Sequence, residues 1–239
     1  MKMNKSWLAV LAAVAALGIV VPSINADKPG AARPTSNAFG QSFAEWVRDF
    51  WAWTYGGVGQ PLQPNNVLFL TIPASATWED WDGKTIGIGE TNVTVKPGTK
   101  IVLGVLAWIG ETYDPAYIDP GTGKPIPNDQ PWPQSEFLPP NGEAVITLDG
   151  VPLVDASNLA DFYYGPINFK ETLWYATPTD YHSIGAIWVQ GIGVVLPPMS
   201  AGTHTLTLYS WDSWMNLYGD GGLGWSNTWH IIVQPPGQN

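Results

Sequence analysis

The chain has 239 residues, no cysteine, 14 tryptophans and a net charge of −10. Without thiols there is no disulfide scaffold and no thiolate metal site. The acidic balance repels phosphate backbones and anionic lipid, which argues against nucleic-acid and membrane-surface partners.

The first segment has Lys2 and Lys5 ahead of an apolar run over residues 7–21, then Pro22 and a small-residue stretch ending at Ala26. This order predicts a secretory signal peptide over 1–26. The apolar run is 15 residues, short of the roughly 20 a spanning helix needs. With no cysteine after it, there is no lipid attachment point, so the expected location is periplasmic or secreted, without membrane insertion after cleavage. Removing 1–26 takes two lysines and no acid, leaving eight basic against 20 acidic residues, a net charge of −12. Residues 27–40 are rich in Pro, Gly, Ala, Ser and Asn and read as a flexible leader.

A helix is predicted over 42–55. Ser42 and Glu45 have capping-box spacing, and Gly56-Gly57 supplies a stop. At 100° per residue Phe43, Val47, Phe50 and Thr54 align. Trp46 and Trp53 flank that line on one side and Trp51 on the other. Glu45, Arg48, Asp49 and Ala52 fall opposite. Left exposed, this stripe would drive adsorption or aggregation. A membrane-surface helix carries several basic residues on its polar face, whereas this one has Arg48 alone. The stripe is therefore expected to dock on a core.

After Gly57 the period becomes two. Residues 67–72, 91–95, 101–108, 144–148, 151–153, 184–196, 204–211 and 228–234 read as strands. Asp149-Gly150 marks a hairpin, because both residues tolerate the positive φ of a tight turn. About eight strands with one helix predict a mainly β fold. The expected form is an antiparallel β-sandwich, jelly-roll or immunoglobulin-like, over 41–239, with the N-terminal aromatic helix packed on it. Two connections, 113–143 and 212–227, are long enough to be functional or to fold over the domain as a cover.

Three pieces in order resemble a family of uncharacterised secreted bacterial proteins. They are the S-x-x-E-W helix with its aromatic cluster, Ser42, Glu45, Trp46, Phe50, Trp51 and Trp53; the strand-turn ITLDGVPL over 146–153; and VVLPPMSAGTHTLTL over 194–208, with Gly202 and His204. The resemblance implies a secreted, mostly β domain. It brings no catalytic residue and no established activity.

No G-x-S-x-G, H-E-x-x-H or phosphate-binding glycine loop is present. The three histidines, His182, His204 and His230, have no metal-ligand spacing and read as ordinary polar residues. Asp80 and Asp82 precede Gly83 in a fragment of a calcium-loop pattern, but position 89, where the closing acid belongs, is glycine. An exposed acidic turn is the better reading, with Ca2+ as the weak alternative and no other cofactor indicated. Glu111, Asp114 and Glu136, beside Trp108, Tyr113 and Trp132, are the loop carboxylates to inspect for a glycosidase pair.

Aromatic rings carry more weight. Tryptophan and tyrosine stack on apolar sugar faces and bond hydroxyls through N–H or O–H. Trp132, Trp214, Tyr218 and Trp225 are the candidate ligand residues, expected in the long loops. The leading expectation is an exported, non-catalytic binding or surface module for polysaccharide or another cell-envelope component. A secreted carbohydrate-active hydrolase is the alternative, and a structural envelope subunit the third reading.

Overall fold

The computed structural model describes residues 30–31, 37–56, 66–73, 77–214 and 222–237. The predicted signal peptide lies outside them, as does most of the leader.

Two short strands, β1 (Asn37–Ala38) and β2 (Gln41–Ser42), pair just ahead of helix α1 (Phe43–Tyr55). The capping box is formed. Ser42 Oγ accepts from the Glu45 amide at 3.3 Å, and Glu45 Oε2 accepts from the Ser42 amide at 2.8 Å. The helix stops at Gly56, whose N–H bonds the Ala52 carbonyl. Phe43, Trp46, Val47 and Phe50 are buried, as the predicted face requires, and Trp51 and Trp53 are partly buried. Two helix residues depart from the pattern. Arg48, placed on the polar side, is buried and forks onto Asp49 Oδ1 through Nε and Nη2. Thr54, placed on the apolar line, is exposed and bonds back to the Phe50 carbonyl.

The strands follow as β3 (Val67–Phe69), β4 (Thr77–Trp81), β5 (Lys84–Val95), β6 (Lys100–Tyr113), β7 (Ile118–Asp119), β8 (Lys124–Pro125), β9 (Gly142–Leu148), β10 (Val151–Val154), β11 (Tyr163–Trp174), β12 (Ser183–Leu196), β13 (Gly202–Asp212) and β14 (Leu223–Val233). They form a six-stranded sheet, β10-β9-β13-β14-β5-β4, and a four-stranded sheet, β11-β12-β6-β3, with small β1-β2 and β7-β8 ribbons. The main sheets share one hydrophobic core, in which Ile146, Leu206, Leu208 and Trp229 of the first join Ile101, Leu103, Val189 and Ile192 of the second. The fold is the expected sandwich with an N-terminal helix packed on it. Pairing is chiefly antiparallel, but β14 runs parallel to β5 and β3 parallel to β6. Six strands have 11 to 14 residues; β12 matches the long run expected over 184–196, and β5, β6, β13 and β14 extend beyond the segments read from the sequence. The remaining one, β11, was not expected as a strand.

The helix lies on the four-stranded sheet, making three layers. Residues 188–196 of β12 are therefore all buried, because one face of the strand meets the other sheet and the opposite face meets the helix. Two glycines make this approach close. Gly104 of β6 and Gly193 of β12 are partners in register. A Cβ on Gly104 would stand 2.5 Å from Phe50 and 2.6 Å from Trp51, and one on Gly193 would stand 2.8 Å from Val47. The pair forms a saddle into which the helix side chains descend. Beside it, Phe43 packs edge-on against Phe162 and Tyr164 at 6.5 and 6.4 Å.

Among the described residues no helix is long and apolar enough to cross a membrane. Gly104→Ala is expected to lower unfolding free energy by about 1–3 kcal/mol, because overpacking forces the helix off the sheet. Urea denaturation checks this, and unchanged stability would mean that the helix yields freely.

Candidate functional site

At one end of the sandwich three tryptophans meet. Trp108 on β6 is the register partner of Gln190 on β12. Gln190 is fully buried, and its Nε2 donates to the Trp132 carbonyl at 3.0 Å, fixing the incoming loop. A 3₁₀ turn (Gln134–Phe137) then buries Phe137 completely. Gly142 is needed beside it, since a Cβ there would stand 2.7 Å from the Phe137 backbone. Trp214, just beyond β13, donates its indole N–H to the Glu136 carbonyl at 2.9 Å.

The ring geometry is tightly set. Trp108 and Trp132 stack at 4.0 Å with 17° between planes. Trp214 stands perpendicular to both, at 6.0 Å and 87° from Trp108 and at 5.2 Å and 88° from Trp132. Phe137 closes the back of Trp214 at 5.7 Å. Trp132, Pro133, Glu136 and Trp214 line a depression of about 260 Å³. Among the described residues two buried polar atoms beside it, Gln190 Oε1 and Trp108 Nε1, have no hydrogen-bond partner. An unpartnered buried polar atom costs about 1–3 kcal/mol.

Trp132 and Trp214 are thus brought together as sequence reasoning placed them, in the loops. Trp225 is not. It lies within β14 opposite Ser210 and Gly87, and its ring covers Gly87, where a Cβ would stand 2.6 Å away. Its aromatic neighbour is Trp78 at 5.0 Å. Tyr218 lies outside the described residues. Trp229 is core, as expected of a strand tryptophan, whereas Trp211 faces away from the core, under the Lys84 ammonium at 4.2 Å.

The three inspected carboxylates occupy different surroundings. Glu136 lines the depression. Asp114 Oδ1 caps a turn by accepting from the Ala116 amide at 2.8 Å. Glu111 Oε1 accepts from the Tyr175 hydroxyl at 2.6 Å. Among the described residues no hydrogen bond or common partner joins any two of them. Glu111 instead neighbours Asp129. The Asp129 carboxylate accepts from the Glu111 amide at 3.0 Å and from the Tyr113 hydroxyl at 2.9 Å. Burial, then the carboxylate partners, push the Tyr113 and Tyr175 hydroxyls well above the usual phenol range. These tyrosines stay protonated donors. Tyr175 follows strand β11, whose alternation is broken around Gly165-Pro166 and which the sequence did not reveal.

The acidic turn is a hairpin. Asp82 and Gly83 have φ of 54° and 81°, and Asp80 Oδ1 accepts from the Gly83 amide at 2.8 Å. Among the described residues no group of three or more His, Asp or Glu is placed to hold a metal ion. The histidines have other partners. His182 stacks on Tyr117 at 3.5 Å, and His230 Nε2 lies 2.6 Å from Glu90 Oε1.

His204 joins two of the sequence pieces noted above. Its Nδ1 lies 2.7 Å from Asp149 Oδ2, and its Nε2 lies 3.0 Å from the Ser200 carbonyl. Asp149 Oδ1 accepts from the Thr205 amide, and the Asp149 amide donates to the Thr205 carbonyl, both at 2.8 Å. The ITLDGVPL turn and the GTHTL strand are therefore one latch holding the β9–β10 turn to β13. Its role is architectural.

No protein-family model matches the chain, and no match is found among curated proteins. Among solved structures, one described as the solution structure of Amebosin is 12% identical, over 62% of this chain and 97% of that one, with a TM-score of 0.21. One described as PbICP-C in complex with falcipain-2 is 11% identical, over 61% of this chain and 89% of that one, with a TM-score of 0.23. Similarity this low carries no argument about fold or function.

The latch has a pH signature. Burial opposes the His204 charge, but the bonds to Asp149 and the Ser200 carbonyl outweigh it and raise the pKa above the ordinary 6.5. The charged form is therefore favoured by folding. With Asp149 ionised, the latch contributes fully below pH 6.5 and loses its contribution as pH rises through the raised value. Wild-type stability is expected to fall across that window, and His204→Gln to remove this part of the slope. Denaturation series from pH 5.5 to 8.5 check it; parallel curves would contradict it.

Proposed function

We propose that the protein is an exported, non-catalytic binding module that seats a ring of a polysaccharide in the corner between Trp132 and Trp214. The observation that carries this reading is the pair of indoles at 88°, each locked by its own contacts. One ring offers a face for the apolar C–H side of a sugar, and the other closes the end of the seat. Trp108 stacked behind Trp132, and the Trp214 bond to the Glu136 carbonyl, fix both rings before any ligand arrives, so little side-chain freedom remains to be lost on binding. Glu136 adds a carboxylate to the rim as an acceptor for ring hydroxyls. Export rests on the signal-like N-terminal sequence. Nothing in the placement of Glu111, Asp114 and Glu136 favours the hydrolase reading over this one.

The test is a glycan array followed by calorimetry on the oligosaccharides retained. Trp132→Ala and Trp214→Ala should each weaken binding about tenfold, the scale of losing one aromatic contact. Glu136→Gln should weaken it less. Trp174→Ala, which removes a 62% exposed ring on β11, should leave it unchanged. Retention of no glycan, or wild-type affinity in both corner variants with intact circular dichroism, would refute the proposal.

A further inference from the structure

The six-stranded sheet turns one face to the core, and among the described residues no helix or second sheet lies on the other. On β13, Leu206, Leu208 and Ser210 are buried, while the alternating Tyr209 and Trp211 are not. Lys84, at the start of β5, reaches across β14 at Gly224, the register partner of both Ile86 and Trp211. Its Nζ stands 4.2 Å from the Trp211 ring centroid, 3.1 Å from both Glu143 oxygens and 3.4 Å from the Tyr209 hydroxyl. An aromatic face and a carboxylate here hold an ammonium between them. The chain thus supplies its own example of the chemistry this face accepts.

A second unit of the same kind lies beside the first. Trp81, on edge strand β4, is 39% exposed and pairs with Lys84 in register. Its indole N–H donates to Glu79 Oε2 at 3.0 Å. Its ring lies within 8° of the Tyr209 plane, at 6.4 Å between centroids. Tyr209 is itself steadied through its hydroxyl by Lys84 and Glu143. The Trp81–Glu79 unit is built like Trp211–Glu143, but among the described residues no cation reaches it. Asp80 and Asp82 sit in the same hairpin, and every residue of β4 is exposed. Lys84 is neutralised by Glu143, so the remaining local charge is negative. Acids on an edge strand guard it against pairing with a second copy, but guarding alone does not call for an exposed indole tied to one of them.

We infer that this outer face is a docking surface for an arginine-bearing segment of another polypeptide, with a guanidinium laid on Trp81 and forked by Glu79. Charge complementarity selects a cation. The parallel rings of Trp81 and Tyr209 favour the flat guanidinium, which stacks on aromatic faces and matches a carboxylate fork. The surface is separate from the Trp132–Trp214 corner and does not depend on what binds there.

Calorimetry with a capped peptide alternating glycine and arginine tests this, with citrulline replacing arginine as the neutral isostere. The arginine peptide should bind, weaken as salt is raised, and lose about fivefold or more in affinity in Trp81→Ala and in the isosteric Glu79→Gln. Asp180→Asn, an exposed acid on another loop, and Trp132→Ala should bind as wild type. Absence of binding, equal binding of the citrulline peptide, or wild-type affinity in both Trp81→Ala and Glu79→Gln would overturn the inference. If a neutral oligosaccharide bound this face in a Trp81-dependent way and the arginine peptide did not, the surface would be a second sugar platform instead.

Discussion

The close seating of α1 on the Gly104–Gly193 saddle is the contact on which the rest of the structure depends. With no disulfide available, the chain must hold a large aromatic load by burial alone. The helix brings Phe43, Trp46 and Phe50 to one face, and that face needs a surface it can approach at van der Waals distance. A side chain at either glycine would lift it. With the saddle in place, β12 can be apolar on both sides, and the four-stranded sheet becomes the middle layer of three. The six-stranded sheet is an outer layer, and among the described residues no helix or second sheet lies on its far face. Among the described residues that division leaves two partly exposed aromatic settings: the Trp132–Trp214 corner and the outer side of the six-stranded sheet.

The tryptophans sort by this architecture into distinct uses. Trp229 fills the core, its indole N–H satisfied by the Thr71 carbonyl. Trp108, Trp132 and Trp214 build a rigid corner at the end of the sandwich, where two buried polar atoms lack partners among the described residues. Trp81 and Trp211 lie on the outer sheet beside carboxylates. In the last two settings ring packing and the indole bonds of Trp214 and Trp81 hold the rings in place, and rings held before a ligand arrives are what low-entropy binding requires.

Much of the architecture was legible in the sequence because it rests on local rules. The capping box, the helical aromatic stripe and the Asp149-Gly150 turn each follow from short-range chemistry, and all three are present. The buried state of Arg48 was not legible, because it depends on its fork with Asp49 and on how far the sheet wraps the helix. β11 was missed because its alternation is broken around Gly165-Pro166. Trp225 was misplaced because the glycines before it suggested a loop, yet it continues a strand whose partners, Ser210 and Gly87, lie far away in sequence. At the candidate site, the residue types and Trp132 with Trp214 could be read. The perpendicular geometry could not, since Gln190 on β12 and the adjacent Glu136 and Phe137 in the 3₁₀ turn impose it from two separate segments. The latch between Asp149 and His204 shows the same limit, because each half is visible alone and only the fold joins them.

The account's central claim is that the aromatic side of α1 faces inward onto the four-stranded sheet. Proton NMR distances between the Val47 methyls and the Gly193 α-protons, in the intact protein, measure that contact directly. Strong cross-peaks there, with Phe43 and Phe50 protected from a dissolved paramagnetic agent, are the predicted result. Absence of those cross-peaks together with broadening of the Phe43 and Phe50 signals would place the helix in solvent and contradict the three-layer structure.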